Sequence, residues 1–234
     1  MKIPLHKKIR MDLLEKIQAG VYQENDIIPT ELELSETYDV SRPTVRQAVQ
    51  ALVNEGYLER RKKRGTIVKK PKIKQEFTHV IESFDSEMNR KGISSKTNVL
   101  NFSVENANEE VAENLDIEIN VEVYKLVRLR YAAEDPIVVV TTYIPKEMFP
   151  KLEDVEFETQ LLYNVFKEYS YPIQSVSRKL EVLKADETTS DLLNIEEGDP
   201  IFYFHTQGFT RDKIPVEYSV SKYRGDINYF VFEI

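Results

Sequence analysis

The sequence predicts two units of different class, a small mainly helical one and an α+β one with a mainly antiparallel sheet. The first covers residues 1–70, the second 79–234, and a charged segment at 71–78 links them. Two observations carry this. Apolar residues at helical spacing fill the first third of the chain, whereas short β-branched and aromatic runs dominate the rest. The charge also changes sign: residues 1–74 hold 16 Lys+Arg against 10 Asp+Glu, net +6, and the remainder 16 against 30, net −14, which sum to −8. A basic module joined to an acidic one leaves the basic end available to phosphates.

At 234 residues, two units can each bury a core of their own. Hydrophobic content of 41% and aromatic content of 10% fit a globular chain. No apolar run approaches the roughly 18 residues that cross a bilayer. Met1 to Arg10 lacks the long apolar stretch of a signal peptide, so the expected compartment is the cytoplasm. With no cysteine there is no disulfide, thiolate metal site or cysteine nucleophile.

Leu5, Ile9, Leu13 and Ile17 recur at intervals of four and predict an amphipathic first helix ending near Gly20. Thr30-Glu31-Leu32-Glu33 after Pro29 has the form of a capping box, opening a short second helix that buries Leu32 or Leu34. Only Tyr38-Asp39-Val40 separates it from the next start signal. Ser41 suits an N-cap, and Pro43 is tolerated in the first turn. Val45, Ala48, Val49, Leu52 and Val53 form the buried stripe of the third helix, with Arg42, Arg46, Gln47, Gln50 and Asn54 on its other side. Two helices across a tight turn, the second bearing Arg and Gln near its start, have the geometry that enters a major groove. Residues 57–68 then read as two short strands with the five cations Arg60 to Arg64 at the tip. Consecutive cations repel one another, and a phosphate backbone or minor groove beside them gives them a use.

Ile28-Pro29-Thr30-Glu31, Val40-Ser41-Arg42-Pro43-Thr44-Val45-Arg46-Gln47-Ala48, Leu52-Val53-Asn54-Glu55-Gly56-Tyr57-Leu58 and Arg64-Gly65-Thr66 keep a spacing that resembles the winged helix-turn-helix domain of the GntR family. The resemblance implies double-stranded DNA as partner, with Ser41, Arg42, Thr44 and Arg46 on phosphates and base edges and Gly65 at a wing tip that enters the minor groove. The implied contact set also includes Thr30, Pro43, Gln47, Arg64 and Thr66. Arg46 is the candidate reader of guanine, because its fork can bond O6 and N7 together. Many members carry an arginine where this chain has Leu32, which should alter affinity or operator preference without abolishing binding.

Beyond the linker, strand runs stand at 97–104, 121–131, 137–144, 201–209, 215–222 and 229–234, with helical patterns near 81–91, 107–115, 158–168 and 186–194. Strand alternation puts Arg128 and Arg130 on one face, and Glu217, Ser219, Ser221 and Tyr223 on one face of another strand. Ser83-Phe84 stands near the start of a helix. Two arginines on a strand face beside free backbone N–H groups would form a phosphate clamp; a paired surface arginine, a serine cap and a solvated strand face are the simpler alternatives.

Phe84-Asp85-Ser86-Glu87-Met88, Val127-Arg128-Leu129-Arg130, Asp135-Pro136-Ile137, Gly198-Asp199-Pro200-Ile201 and Pro215-Val216-Glu217-Tyr218-Ser219 resemble the UTRA effector domain of the HutC subfamily. That resemblance implies a chorismate lyase-like fold, a homodimer, and a small-molecule effector such as a phosphorylated sugar. It assigns backbone N–H groups of Ser83 and Phe84 and the side chains of Arg128 and Arg130 to the anionic end. Tyr143, Glu217, Ser219 and Tyr223 would line the rest. Many members have a glutamate near Val140 and a serine near Leu161, so a neutral sugar phosphate or another small anion is expected in preference to an amino sugar.

A lyase-like fold raises catalysis, but fold alone does not establish chemistry. His6, His79 and His205 are the only imidazoles, and HExxH, GxSxG and Walker loops are absent. No metal or cofactor is expected. A second unit that only dimerises remains the other alternative.

Overall fold

The computed structural model describes residues 4–62, 64–69, 72–76, 84–90 and 92–231. Expectations placed on Ser83 and His79 lie outside them. The chain divides into compact units Met1–Ile73 and Lys74–Ile234, a division inside the segment expected to be a linker.

In the first unit, α1 (Leu5–Gln18), α2 (Glu31–Thr37) and α3 (Arg42–Asn54) precede an antiparallel hairpin of β1 (Leu58–Arg61) and β2 (Gly65–Val68). Ile9 and Leu13 of α1, Leu34 of α2, and Val45, Ala48, Val49 and Leu52 of α3 share one core with Ile28, Leu58 and Val68. Leu34, not Leu32, is the buried residue of α2; Leu32 is 50% exposed. The capping box forms as read: the Glu33 amide donates to Thr30 Oγ1 at 3.3 Å, and the Thr30 amide donates to the Glu33 carboxylate at 2.7 Å. Ser41 stands at the N-cap of α3, but its hydroxyl meets the Thr44 hydroxyl at 2.9 Å instead of a backbone amide. Pro43 occupies the first turn, where its missing N–H costs nothing.

The basic run departs from expectation. Arg60 and Arg61 belong to β1, where Arg60 pairs with Glu31 and Arg61 with Glu59. Of the five cations, Lys62 and Arg64 remain at the described tip, because the ladder closes at Arg61 opposite Gly65. Gly65 has φ +98°, a region side chains disfavour, and a Cβ there would stand 3.1 Å from Ile27 Cγ2.

The second unit is built on a six-stranded antiparallel sheet ordered β4-β5-β6-β9-β8-β7. Its strands are β4 (Ser95–Asn106), β5 (Glu122–Ala132), β6 (Asp135–Pro145), β7 (Ser175–Lys184), β8 (Pro200–Phe209) and β9 (Pro215–Arg224). A separate pair joins β3 (Ile73–Glu76) to β10 (Asn228–Val231), so part of the expected linker is a strand. The helices are α4 (Phe84–Arg90), α5 (Glu109–Leu115), α6 (Leu162–Glu168) and α7 (Glu187–Leu193). The one long strand the sequence conceals is β7, an edge strand whose side chains are mostly exposed and whose apolar positions Val176, Leu180 and Val182 are interrupted by Arg178. No helix among the described residues is long and apolar enough to cross a membrane.

The two faces of this sheet are covered differently. On one, α5 packs Val111, Ala112 and Leu115 against Val123 and Tyr218, while Leu193 of α7 packs against Leu129, Val139 and Ile201. On the other, α6 and the segment around Phe149 and Phe157 cover Leu126 and Ile144. Phe230 of β10 lies against Phe204 and Tyr223 of that second face, with ring centroids 4.7 and 5.3 Å away. The polar cluster described next shares this face.

Because the Thr30 hydroxyl accepts the Glu33 amide in the α2 capping box, Thr30→Ala should leave that amide uncapped and destabilise the first unit by about 1 kcal/mol. Urea denaturation followed by circular dichroism of wild type and variant checks this.

Candidate functional site

The third helix of the first unit has a divided surface. Its apolar positions are buried, and Ser41, Arg42, Pro43, Arg46, Gln47 and Gln50 are exposed at its start and along its outer side. Thr44 is half-buried. A shallow groove between Pro43, Arg46, Gln47, Gln50, Ala51 and Asn54 runs along this side. Arg46 Nε donates to one oxygen of Glu31 at 2.9 Å, and Arg60 of β1 donates to the other at 2.9 Å. Helix α3 and the hairpin are thereby joined through α2 into one surface. Thr30 is exposed beside Glu31, Arg64 and Gly65 are exposed at the hairpin, and Thr66 is half-buried opposite Arg60. The arrangement offers two groups of guanidinium donors on a convex helix and an adjoining hairpin, a shape and charge suited to a duplex.

In the second unit, the antiparallel register aligns Arg128 with Val140 and Ser221, and Arg130 with Val138 and Tyr223. A parallel row runs through Leu126, Thr142, Ser219, Thr206 and Arg178. Arg128, only 4% exposed, donates to Thr142 Oγ1 at 3.1 Å. Ser219 Oγ lies 3.0 Å from Thr142 Oγ1 and 3.2 Å from Glu217 Oε2. The Tyr163 hydroxyl of α6 donates to the other oxygen of Glu217. The Arg130 guanidinium lies 5.2 Å from the centre of the Phe84 ring, and its buried Nε has no hydrogen-bond partner among the described residues.

Burial sets the electrostatics here. It pushes the Glu217 carboxyl upward, against the hydrogen bond from Tyr163 and the attraction of Arg128 and Arg178. Tyr163 is raised well above its ordinary value by burial and by the adjacent Glu217. Tyr223 is raised by burial, while Arg130 and Arg178 pull it back. Arg128 and Arg178 act on Glu217, and Arg130, Arg178 and the buried Glu87 act on Tyr223, so the face carries guanidinium donors able to hold an anion. Gly208 makes room for that carboxylate: a Cβ there would come within 2.7 Å of Glu217 Cγ and 2.9 Å of Ile173 Cδ1.

Of the residues expected here, the fold brings Phe84, Arg128, Arg130, Glu217, Ser219 and Tyr223 to one face. Tyr143 is a correction. It pairs in register with Tyr218 and stacks on it at 6.1 Å, on the face covered by α5. Strand alternation across β6 requires this, since Thr142 faces the arginines. Val140 lies between Arg128 and Ser221 and is 6% exposed, so no polar group stands at that point. Sequence reasoning missed Arg178 and Tyr163. Arg178 sits on the unrecognised β7, and Tyr163 reaches the sheet from α6; neither has a local signal. His205, on the opposite face, lies 2.6 Å from the Tyr218 hydroxyl through Nδ1 and 3.3 Å from Glu181 through Nε2.

Comparison with known proteins identifies both units. Residues 5–68 match the family described as bacterial regulatory proteins, gntR family, and residues 90–227 match the UTRA domain. This chain belongs to the GntR family. Within it, the UTRA domain marks the HutC-type architecture, a DNA-binding transcription regulator with a second unit for a small-molecule effector. The GntR chain is 31% identical over 229 residues to the HTH-type transcriptional repressor NagR of Bacillus subtilis, covering 98% of this chain and 94% of that one. It is 29% identical to the mannosyl-D-glycerate transport/metabolism system repressor MngR of Escherichia coli, covering 95% and 92%. The crystal structure of PhnF from Mycobacterium smegmatis superposes with a TM-score of 0.80 at 25% identity, covering 97% of this chain and 98% of that one.

Two outcomes follow for the enclosed cluster of this GntR regulator. Gly208→Ala should destabilise the second unit by about 1–3 kcal/mol, because neither Glu217 nor Ile173 has space to retreat without repacking; thermal denaturation measures it. The raised Glu217 pKa gives a pH dependence of definite sign. The folded state binds this proton more tightly than the unfolded state, so the stabilisation is complete below the ordinary value of 4.5 and is lost as pH rises through the higher folded value. Stability measured against pH should therefore fall across that window in wild type, and Glu217→Gln should flatten this part of the curve.

Proposed function

We propose that the protein is a sequence-specific transcription repressor, released from a two-fold symmetric operator when a small anionic effector occupies its second unit. The observation that carries the effector half is the convergence of Arg128, Arg130 and Arg178 on one face of the sheet, with a buried N–H on Arg130 that has no partner among the described residues. Burying that donor without an acceptor is costly, and a phosphate or carboxylate oxygen would satisfy it. Ser219, Glu217 and Tyr223 supply hydroxyl and carboxyl groups for the rest of a sugar-like molecule. Ser83, by the family resemblance, adds a backbone N–H beside Phe84. Val140 offers no carboxylate to an amine, which favours a neutral sugar phosphate or a sugar acid. Both relatives described above are named repressors, and one of those names refers to mannosyl-D-glycerate.

The DNA half rests on the exposed side of α3. Arg46 bonds a guanine edge, Ser41, Arg42 and Thr44 hold phosphates, and Gln47 and Pro43 contact neighbouring bases. Arg64, Gly65 and Thr66 bring the wing to the minor groove, while Thr30 contacts the backbone. A homodimer sets two such helices in successive major grooves. Effector binding changes the spacing of the two DNA-binding units and weakens operator affinity, and DNA weakens effector binding to the same degree. A coupling of about 1–3 kcal/mol is the ordinary size of such an effect. Family membership and the arrangement of polar groups give catalysis no role in this reading, and turnover of a bound sugar phosphate would overturn that part of it.

Fluorescence anisotropy on DNA from upstream of the protein's own gene, with and without a panel of sugar phosphates, tests both halves. Salt-sensitive specific binding relieved by one compound is the expected result; failure to bind any genomic segment specifically would sink the reading. Arg46→Ala should cost about tenfold or more in specific DNA affinity and leave effector-induced thermal stabilisation intact. Arg128→Ala combined with Arg130→Ala should abolish that stabilisation while DNA binding persists. If both folded variants lose both activities, the division of labour is wrong.

A further inference from the structure

We propose that Glu31 is a positioning residue for DNA reading, holding Arg46 in its base-reading orientation and raising the specificity of the protein. The inference rests on the DNA half of the proposed function and assigns a role to a residue outside its contact set. Glu31 opens α2, and its backbone is fixed by the capping box between Thr30 and Glu33 on either side of it. Its side chain is 19% exposed, whereas those of Arg46 and Arg60 are 59% and 41% exposed. The more enclosed partner is therefore the carboxylate, and the arginines are the more exposed ones.

The atoms engaged are the informative part. A guanidinium has five N–H donors, and Glu31 takes the Nε–H of Arg46. That bond leaves the terminal pair of nitrogens pointing away from the carboxylate, and this end of the fork can bond guanine O6 and N7 together. Its second oxygen is occupied by an arginine of the wing strand, so one carboxylate spaces the helix donor from the hairpin donor. An exposed ion pair contributes little to stability, so its effect falls on orientation: the arginine enters the groove already ordered.

The same carboxylate works against binding elsewhere on DNA. If Arg46 turns to a phosphate, Glu31 loses a partner while standing close to backbone anions. Discrimination is a difference between affinities, and this residue acts on both members of that difference. Removing it should weaken binding to the operator and strengthen, or leave unchanged, binding to unrelated sequence. A residue needed only for folding would lower both together.

The test uses the full chain. A pool of random duplexes is selected with wild type, and the recovered consensus is compared by anisotropy with a scrambled duplex of equal length. Glu31→Ala and the near-isosteric Glu31→Gln are measured on both, after circular dichroism shows folded protein; if the alanine variant does not fold, the glutamine variant carries the comparison. The expected result is a fall of about tenfold in the operator-to-scrambled affinity ratio, with scrambled affinity unchanged or increased. Replacing guanine by 7-deazaguanine should penalise wild type more than either variant, because the ordered fork is what uses N7. An unchanged ratio, an equal loss on both duplexes, or an equal 7-deazaguanine penalty overturns the proposal and leaves the DNA-binding reading standing. A wild type that recovers no consensus overturns both.

Discussion

Guanidinium groups gathered to meet an anion repel one another until the anion arrives. Each unit of this chain holds several of them, and in each a carboxylate stands among them. Glu31 joins Arg46 to Arg60 across three elements of the first unit. Glu217 faces the potential of Arg128 and Arg178 in the second. Without such a partner the arginines would splay into solvent or, where buried, impose a large desolvation penalty. With a full complement of carboxylates they would have no donors left for a ligand. The observed arrangement keeps guanidinium groups held by carboxylates on both surfaces.

The two carboxylates differ in setting, and the difference suits the two partners proposed above. Glu31 lies at a surface, between arginines that remain largely exposed, as a long and highly charged duplex requires. Glu217 is enclosed by Tyr163, Ser219 and the space left by Gly208. A small molecule must surrender most of its hydration to enter such a place, and each donor and acceptor it meets there counts for more than in water. Both arrangements depend on rigid supports: a capped helix for Glu31, and the central strands of a six-stranded sheet for Glu217.

Local signals made much of the fold legible. The four-residue recurrence of Leu5, Ile9 and Leu13, the Thr30–Glu33 capping box and the Ser41-Arg42-Pro43 start are properties of a few adjacent residues, and the helices they predict are present. Central strands β5, β6, β8 and β9 announce themselves through buried β-branched and aromatic side chains. Strand β7 does not, because it is an edge strand with solvent on most side chains and Arg178 breaks the run of Val176, Leu180 and Val182. Its invisibility concealed Arg178. Arg60 and Arg61 looked like part of a tip for the related reason that sequence shows charges without their partners.

By itself, then, the sequence determined the class of each unit, the basic and acidic division of charge, and the side chains that alternation sets on a common face, such as Arg128 with Arg130 and Glu217 with Ser219. These follow from backbone periodicity and need no knowledge of distant residues. Tertiary structure decided which faces meet. Register put Tyr143 beside Tyr218 and away from the arginines, brought Tyr163 onto Glu217 from 54 positions away, and set Glu31 between a helix and a wing. The physical reason is that pairing register and helix docking are fixed by burial of the whole core, and a polar side chain takes whatever partners that packing delivers.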